Sequence, residues 1–251
     1  MLKRLIDILV ALIGLIVTSP VLLPVTFLVW WKDRHSPFYI APRVGLGGKP
    51  FSMVKLRSMV INADREGVTS TANDDRRITA VGHFIRRYKL DELTQLWNVM
   101  CGDMSLVGPR PQVQAGVGVY TARERELLIV RPGITDFASI VFSDEGAILD
   151  GLPDPDLGYD QLIRPGKSML GLFYVRHRTV WVDLQLVVLT ILTIISRDLA
   201  LARVQELLGS LGASPELVEL AGRRHPLVPG LPPGAAPTPK AGHLETSLGP
   251  Q

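Results

Sequence analysis

The apolar run from Leu5 to Trp31, in which Asp7 is the only charged side chain, limits this chain's options more than any other stretch. A straight helix of that length would reach about 40 Å, enough to cross a hydrocarbon layer of roughly 30 Å. Two features argue against a simple crossing. Pro20 removes the N–H that would bond the Ile16 carbonyl, and Pro24 the one that would bond the Pro20 carbonyl. Each costs about 3 kcal/mol or more inside a regular helix, so a bend is expected around Ser19-Pro20. Lys3 and Arg4 precede the run and Lys32 and Arg34 follow it, whereas a single span concentrates basic residues on one side. The expectation is a re-entrant helix-break-helix hairpin that enters the cytoplasmic leaflet and returns. Its freed carbonyls would be met by the Thr18 or Ser19 hydroxyl, by protein packing or by admitted water. A proline-kinked span is the alternative, and these residues alone do not separate the two. A cleaved signal peptide fits poorly, because the run is too long and no small-x-small site follows it.

With 251 residues, the chain has room for one large domain or two small ones. A net charge of +3 suits anionic headgroups or a nucleotide, but no dense basic run of the kind that binds nucleic acid is present. The single cysteine, Cys101, forms no internal disulfide and fits a reducing compartment. The five histidines lack ligand spacing, so a zinc site is unsupported.

The chemistry is expected between Lys89 and Pro111. Leu90, Leu93, Leu96, Trp97 and Met100 recur at helical spacing, which predicts one amphipathic helix with those residues in a core and Asp91, Gln95 and Asn98 on its polar face. Asp91 and Glu92 fall in the first turn, where free N–H groups favour a carboxylate and any phosphate brought beside it. Taken alone, such a pair is ordinary dipole matching. Its neighbours point further: Arg86, Arg87 and Lys89 precede it, and Gly108-Pro109-Arg110-Pro111 presents an arginine from a backbone stiffened on both sides. An acid pair ringed by fixed cations suggests phosphoryl chemistry, with Asp91 as an anionic nucleophile.

Around this block, Phe38–Ile40 and Phe51–Leu56 read as a β-hairpin joined through Gly45-Leu46-Gly47-Gly48-Lys49. The Gly-Gly-Lys is no nucleotide loop, since Pro50 holds the Ser/Thr position. Lys55 and Arg57 share one strand face, either solvated or forming a cationic wall beside Asp91. Residues 63–79, with Asp74-Asp75-Arg76-Arg77, read as a loop of solvated charges, and Ile78 to Tyr88 as a helix. Tyr120 to Val130 reads as a helix whose Arg123, Glu124, Arg125 and Glu126 face solvent. Gly151 to Gly158 is a loop and Gln161 to Tyr174 a broken helix. Val180 to Ile195, about 24 Å as a helix, is short for a crossing and suits burial or the membrane interface. Residues 204–222 read as one more short helix, and from His225 onward Pro and Gly predict disorder.

Several motifs resemble, in order, those of the bacterial sugar transferases, the monotopic polyprenyl-phosphate phosphoglycosyl transferases. They are Lys55-Leu56-Arg57-Ser58-Met59, Leu90-Asp91-Glu92-Leu93, Asn98, the run from Gly102 to Pro111, and Arg131-Pro132-Gly133-Ile134-Thr135. The resemblance extends from the apolar run to about Arg197. It implies an α+β, mostly helical fold: a re-entrant anchor broken at Ser19-Pro20 (residues 1–34), a compact cytoplasmic catalytic domain with a small β-hairpin and amphipathic interfacial helices (35–203), and a short helix with a disordered tail (204–251).

The activity it implies is transfer of a sugar-1-phosphate from a nucleotide sugar, expected to be a UDP-sugar, to undecaprenyl phosphate at the bacterial inner membrane, facing the cytoplasm. Such a step would serve exopolysaccharide or lipopolysaccharide synthesis. By the same resemblance Asp91 attacks phosphorus, and Glu92 either holds Mg²⁺ or orients Asp91. Lys55, Arg86, Arg110 and Arg131 clamp the phosphates, and homo-oligomers are possible. Asp136-Phe137 departs from the family's Gly-Trp or Gly-Leu where the sugar is expected. The rivals are a non-catalytic membrane scaffold or regulator of polysaccharide assembly, and a hydrolase using Asp91 on a soluble phosphate ester.

Overall fold

The computed structural model describes residues 2–63 and 75–236. It is mostly helical, with two small two-stranded sheets. The first helix, α1 (Leu2–Asp33), runs unbroken through Pro20 and Pro24. The break expected at Ser19-Pro20 is not present: Ser19 Oγ donates to the Ile16 carbonyl that Pro20 cannot reach, at 2.7 Å, and Thr18 Oγ1 to Gly14 O at 2.6 Å. One side of α1 packs on the body. Ala11 is buried, and Leu22, Val25 and Val29 cluster with Leu56, Ile85 and Leu90. The other side leaves Leu5, Leu9, Ile13, Ile16, Val17, Leu23 and Phe27 exposed.

Both ends of α1 are tied to the same body. Lys3 pairs with Asp183 at 2.5 Å, and Arg4 donates to the Val99 and Met100 carbonyls at 2.5 and 3.0 Å. Asp7, buried, accepts from Ser105 Oγ and the Leu106 N–H. At the far end, Asp33 receives two hydrogen bonds from Arg57, at 2.6 and 2.7 Å. Arg57 is thus committed to the anchor and forms no wall with Lys55.

Strands β1 (Phe38–Val44) and β2 (Pro50–Leu56) pair antiparallel, Tyr39 opposite Lys55 and Arg43 opposite Phe51, with a 3₁₀ turn at Leu46–Gly48 whose Gly47 and Gly48 have φ of 66° and 78°. The next elements are α2 (Ala80–Arg87), α3 (Leu90–Leu93) and α4 (Leu96–Cys101), then β3 (Ser105–Val107) and α5 (Gln114–Gly118). After a 3₁₀ turn at Glu124–Ile129 come β4 (Gly133–Thr135), α6 (Phe137–Val141), α7 (Glu145–Leu149) and α8 (Pro155–Gly158). A π turn at Tyr159–Ile163 leads into α9 (Arg164–His177), followed by α10 (Val180–Ile195), α11 (Arg197–Ser210) and α12 (Pro215–Gly222). The main core gathers Phe137, Ile140 and Val141 of α6 with Leu170 and Tyr174 of α9, Leu186 of α10 and Val204 and Leu208 of α11. On α10, Val182, Leu186 and Leu189 face inward, while Trp181, Val188, Ile191 and Ile195 are exposed.

Several expectations change. Strands β3 and β4 pair in parallel, a contact too short for sequence periodicity to reveal. Arg77 is buried against Asp75 and Ala63 O rather than solvated, and Glu124 is fully buried, held by Arg164, Ser168 and the Thr121 N–H. In both cases an oppositely charged partner, Asp75 close by for Arg77 and the distant Arg164 for Glu124, offsets the cost of burial. Residues 204–222 belong to two helices, α11 starting as early as Arg197 because Ser196 caps it. The segment after His225 lies on the body as far as it is described. Gly230 N–H donates to Gln161 O at 2.9 Å, and Thr121 Oγ1 to Pro233 O at 2.5 Å. Asp74 and the tail beyond 236 lie outside the described residues.

Candidate active site

The expected single helix over residues 90–100 is two short pieces, α3 and α4. Lys89 adopts a left-handed conformation (φ 54°, ψ 27°) and turns the chain sharply from α2 into α3. Leu90 enters the cluster against Val25 and Val29 of α1, so the next two residues point away from the anchor's packing surface. Thr94 Oγ1 donates to Val54 O at 3.1 Å and fastens this turn to β2.

Asn98 is buried rather than on a polar face shared with Asp91. Its amide accepts from Val54 N–H at 2.8 Å and donates to Ser52 O at 2.8 Å, pairing with β2 as another strand would. Those bonds set the position of Lys55, one residue on. Gln95 is also buried, and neither polar atom of its amide has a partner among the described residues. Trp97, expected in the core, is 55% exposed, because the break at Thr94-Gln95 rotates the second piece.

The acid pair is divided between different cations. Lys55 Nζ lies 3.9 Å from Asp91 Oδ2, while Arg110 Nη2 donates to Glu92 Oε1 at 2.9 Å. Burial pushes the Asp91 carboxyl above its ordinary value; Lys55, Arg110 and Arg86 oppose this and the neighbouring Glu92 charge adds to it. Burial acts on Glu92 in the same direction, but there the charges of Arg110, Lys89 and Lys55 outweigh it and hold the carboxyl below its ordinary value. Glu92 in turn raises Arg110. The Lys55 ammonium is pushed down to about 8, by burial first and then by the Arg110 charge. Arg86 donates to Ser58 Oγ at 3.2 Å and lies within the field of Asp91.

Lys55, Arg86 and Arg110 are therefore brought together around Asp91 and Glu92, but Arg131 is not. Its Nε donates to the Gly102 carbonyl at 2.9 Å, and its side chain is exposed. The reason lies in how the two arginine loops cross. Gly108 N–H donates to Thr135 O and Gly133 N–H to Pro109 O, both at 3.0 Å, and a Cβ on Gly133 would sit 2.0 Å from Gly108 N. The crossing sends Arg110 to Glu92 and Arg131 to the end of α4.

Beyond Arg110 lies a cavity of about 70 Å³, lined by Gln112, Tyr120, Asp136, Tyr159 and Lys167. Asp136 caps α6 through Ser139, and burial raises its carboxyl. Arg43 joins the site cations from beyond the strand that the sequence predicts at Phe38–Ile40: β1 continues to Val44, which puts Arg43 on the face that carries Lys55. Among the described residues, no group of three or more His, Cys, Asp or Glu side chains could hold a metal. A divalent cation here would need the oxygens of a bound diphosphate alongside Glu92, the way magnesium usually binds.

A sequence model of the bacterial sugar transferase family matches residues 1–197. The chain belongs to that family. This bacterial sugar transferase is 34% identical over 200 residues to the UDP-N-acetylgalactosamine-undecaprenyl-phosphate N-acetylgalactosaminephosphotransferase of Aeromonas hydrophila, covering 77% of this chain and 44% of that one. It is 38% identical over 148 residues to the exopolysaccharide production protein ExoY of Sinorhizobium fredii, covering 53% and 66%. To an uncharacterized sugar transferase of Bacillus subtilis, EpsL, it is 34% identical over 190 residues, covering 76% and 85%. This sugar transferase spans under half the length of the Aeromonas protein and of three further relatives.

Proposed function

We propose that the chain transfers a sugar-1-phosphate from a UDP-sugar to undecaprenyl phosphate at the cytoplasmic face of the bacterial inner membrane, in exopolysaccharide assembly. The observation that carries this is the division of the acid pair: Arg110 keeps Glu92 ionised, while Asp91 beside Lys55 is buried and raised. A carboxylate whose affinity for protons is raised is also a stronger nucleophile once ionised, and the Lys55 charge beside it favours the ionised form. Asp91 attacks the sugar-linked phosphorus and displaces the nucleoside monophosphate, leaving a phosphosugar on the carboxylate. The lipid phosphate then displaces Asp91. Both steps need charge neutralisation and alignment more than proton transfer, and Lys55, Arg86 and Arg110 supply them. Arg131 would join only after leaving the Gly102 carbonyl. Bound magnesium, held through Glu92 and the diphosphate, would neutralise further charge.

The ties at both ends of the anchor support attachment to the membrane without a crossing. A crossing helix has its ends on opposite sides of the membrane, yet Lys3 and Asp33, at the two ends of α1, both pair with one catalytic body. A crossing would place part of that body, with its ion pairs, in hydrocarbon. The exposed apolar faces of α1 and α10 are the surfaces that lipid would cover.

The test is incubation of the full chain with undecaprenyl phosphate and radiolabelled UDP-sugars, scoring lipid-phase label and UMP together, with mass spectrometry of the trapped protein. A phosphosugar on Asp91, absent in Asp91→Asn, is expected. An adduct elsewhere, lipid product without an adduct, or label released only into water would overturn the proposal.

A further inference from the structure

Arg43 carries a half-buried guanidinium. Its Nη1 donates to the carbonyl of its own neighbour, Pro42, at 2.9 Å, and among the described residues no carboxylate lies within ion-pair distance. It stands instead among cations. Its charge acts on Arg110 and Lys55, and the Val44 N–H donates to Gln112 O at 2.9 Å, holding this end of β1 against the loop that carries Arg110. Counting Lys55, Arg86, Lys89, Arg110 and Arg43 against Asp91, Glu92 and Asp136, the site has an excess of at least two positive charges. The Glu145 and Lys167 pair beside Arg110 is neutral as a unit and does not change this. Burying like charges together costs stability unless an anion joins them.

We infer that Arg43 and Arg110 form a phosphate subsite for the nucleoside monophosphate half of the donor, the group displaced when Asp91 takes the sugar-bearing phosphorus. This rests on the transfer proposed above. In that step an Asp91 oxygen bonds to the sugar-linked phosphorus and the bridging P–O bond breaks. Its electron pair leaves on the nucleoside phosphate, which gains a negative charge without proton transfer. In-line displacement puts that oxygen on the side of phosphorus opposite the nucleophile. Lys55, in contact with Asp91, serves the near side. Arg43 shares its strand face but pairs four residues further along, roughly 13 Å of strand, beside the Arg110 loop. A guanidinium placed there is suited to take two phosphate oxygens at once.

The subsite is tested by equilibrium binding of UMP to the full chain in detergent or nanodiscs. Arg43→Gln should weaken UMP about tenfold or more, and Arg43→Lys severalfold, since lysine keeps the charge but loses the two-pronged contact. The kcat/KM for undecaprenyl phosphate, which in a two-step displacement reports the second half-reaction alone, should not change. Lys49→Gln, which removes a charge from the exposed hairpin turn, should alter neither. UMP affinity within twofold of wild type in Arg43→Gln, an equal loss in Lys49→Gln, or a parallel fall in kcat/KM for the lipid overturns the inference. If Arg43→Gln does not fold, Arg43→Lys decides, and unchanged UMP affinity there overturns it. UMP binding needs no turnover, so Arg43-dependent binding by a protein that forms no adduct would refute covalent transfer and leave the subsite standing.

Discussion

The alkaline limb of activity should belong to Lys55. An ordinary lysine titrates near 10.4 and would stay charged across any practical assay range. Here burial, with the Arg110 charge behind it, brings the ammonium down to about 8. On that value roughly nine tenths of the free enzyme carries the charge at pH 7 and roughly one tenth at pH 9. If the charge is required beside Asp91, kcat/KM should fall about tenfold per pH unit above 8, because kcat/KM reports the ionisation of the free enzyme. Lys55→Arg replaces the ammonium with a group that stays charged above pH 12. Its plateau should be lower, since the fork does not fit an ammonium's place, but the limb near 8 should disappear. The assay is UMP release at subsaturating UDP-sugar between pH 5 and 10, with stability checked at each end. A wild-type profile flat to pH 10, or a limb that stays near 8 in Lys55→Arg, would refute the reasoning. The acid limb should remain in both proteins, above the ordinary aspartate range, because protonation silences Asp91 and burial raises its carboxyl.

Gly133→Ala should be among the most damaging single-atom changes. The added Cβ meets Gly108 N at 2.0 Å, so the arginine loops must separate, and losses of at least 3 kcal/mol in stability and most of the activity are expected by thermal denaturation and UMP release. Ser19→Ala should strip the donor from the Ile16 carbonyl and cost about 1 kcal/mol in lipid, visible as a lower melting temperature in nanodiscs and unchanged stability if the bond is idle. Gln95→Met should stabilise the fold by about 1–3 kcal/mol, because a buried amide without partners becomes an apolar chain of similar size, and denaturant titration measures it. A loss of stability there would mean the amide is satisfied in solution.

The legible parts were those governed by local chemistry. Pro20 and Ser19 announced a carbonyl in need of a donor, the apolar run from Val180 to Ile195 matches α10, and the prolines around Arg110 marked a stiff loop whose arginine does reach the acid pair. What was not legible depended on partners far along the chain. Glu124 looks solvated until Arg164, forty residues away, pairs with it, and Arg57 looks like a twin of Lys55 until Asp33 takes it. Arg131 and Arg110 are indistinguishable as Arg-Pro dipeptides. Only the contact between Gly108 and Gly133 sends them in different directions.

The same long-range contacts explain why the anchor and the chemistry are one construction. Leu90, immediately before Asp91, is packed among Leu22, Val25 and Val29 of α1, and Arg4 and Asp7 hold the end of α4 and the start of β3. The proposed nucleophile, Asp91, is thus one residue removed from a side chain buried on the apolar helix, and the loop bearing Arg110 follows directly from a strand tied to it. The height of Asp91 relative to the lipid surface is then set by side-chain packing rather than by a flexible linker. An acceptor whose phosphate stays at a fixed depth in the leaflet requires such rigidity, since an error of about 1 Å at the reacting atoms can cost on the order of a hundredfold in rate.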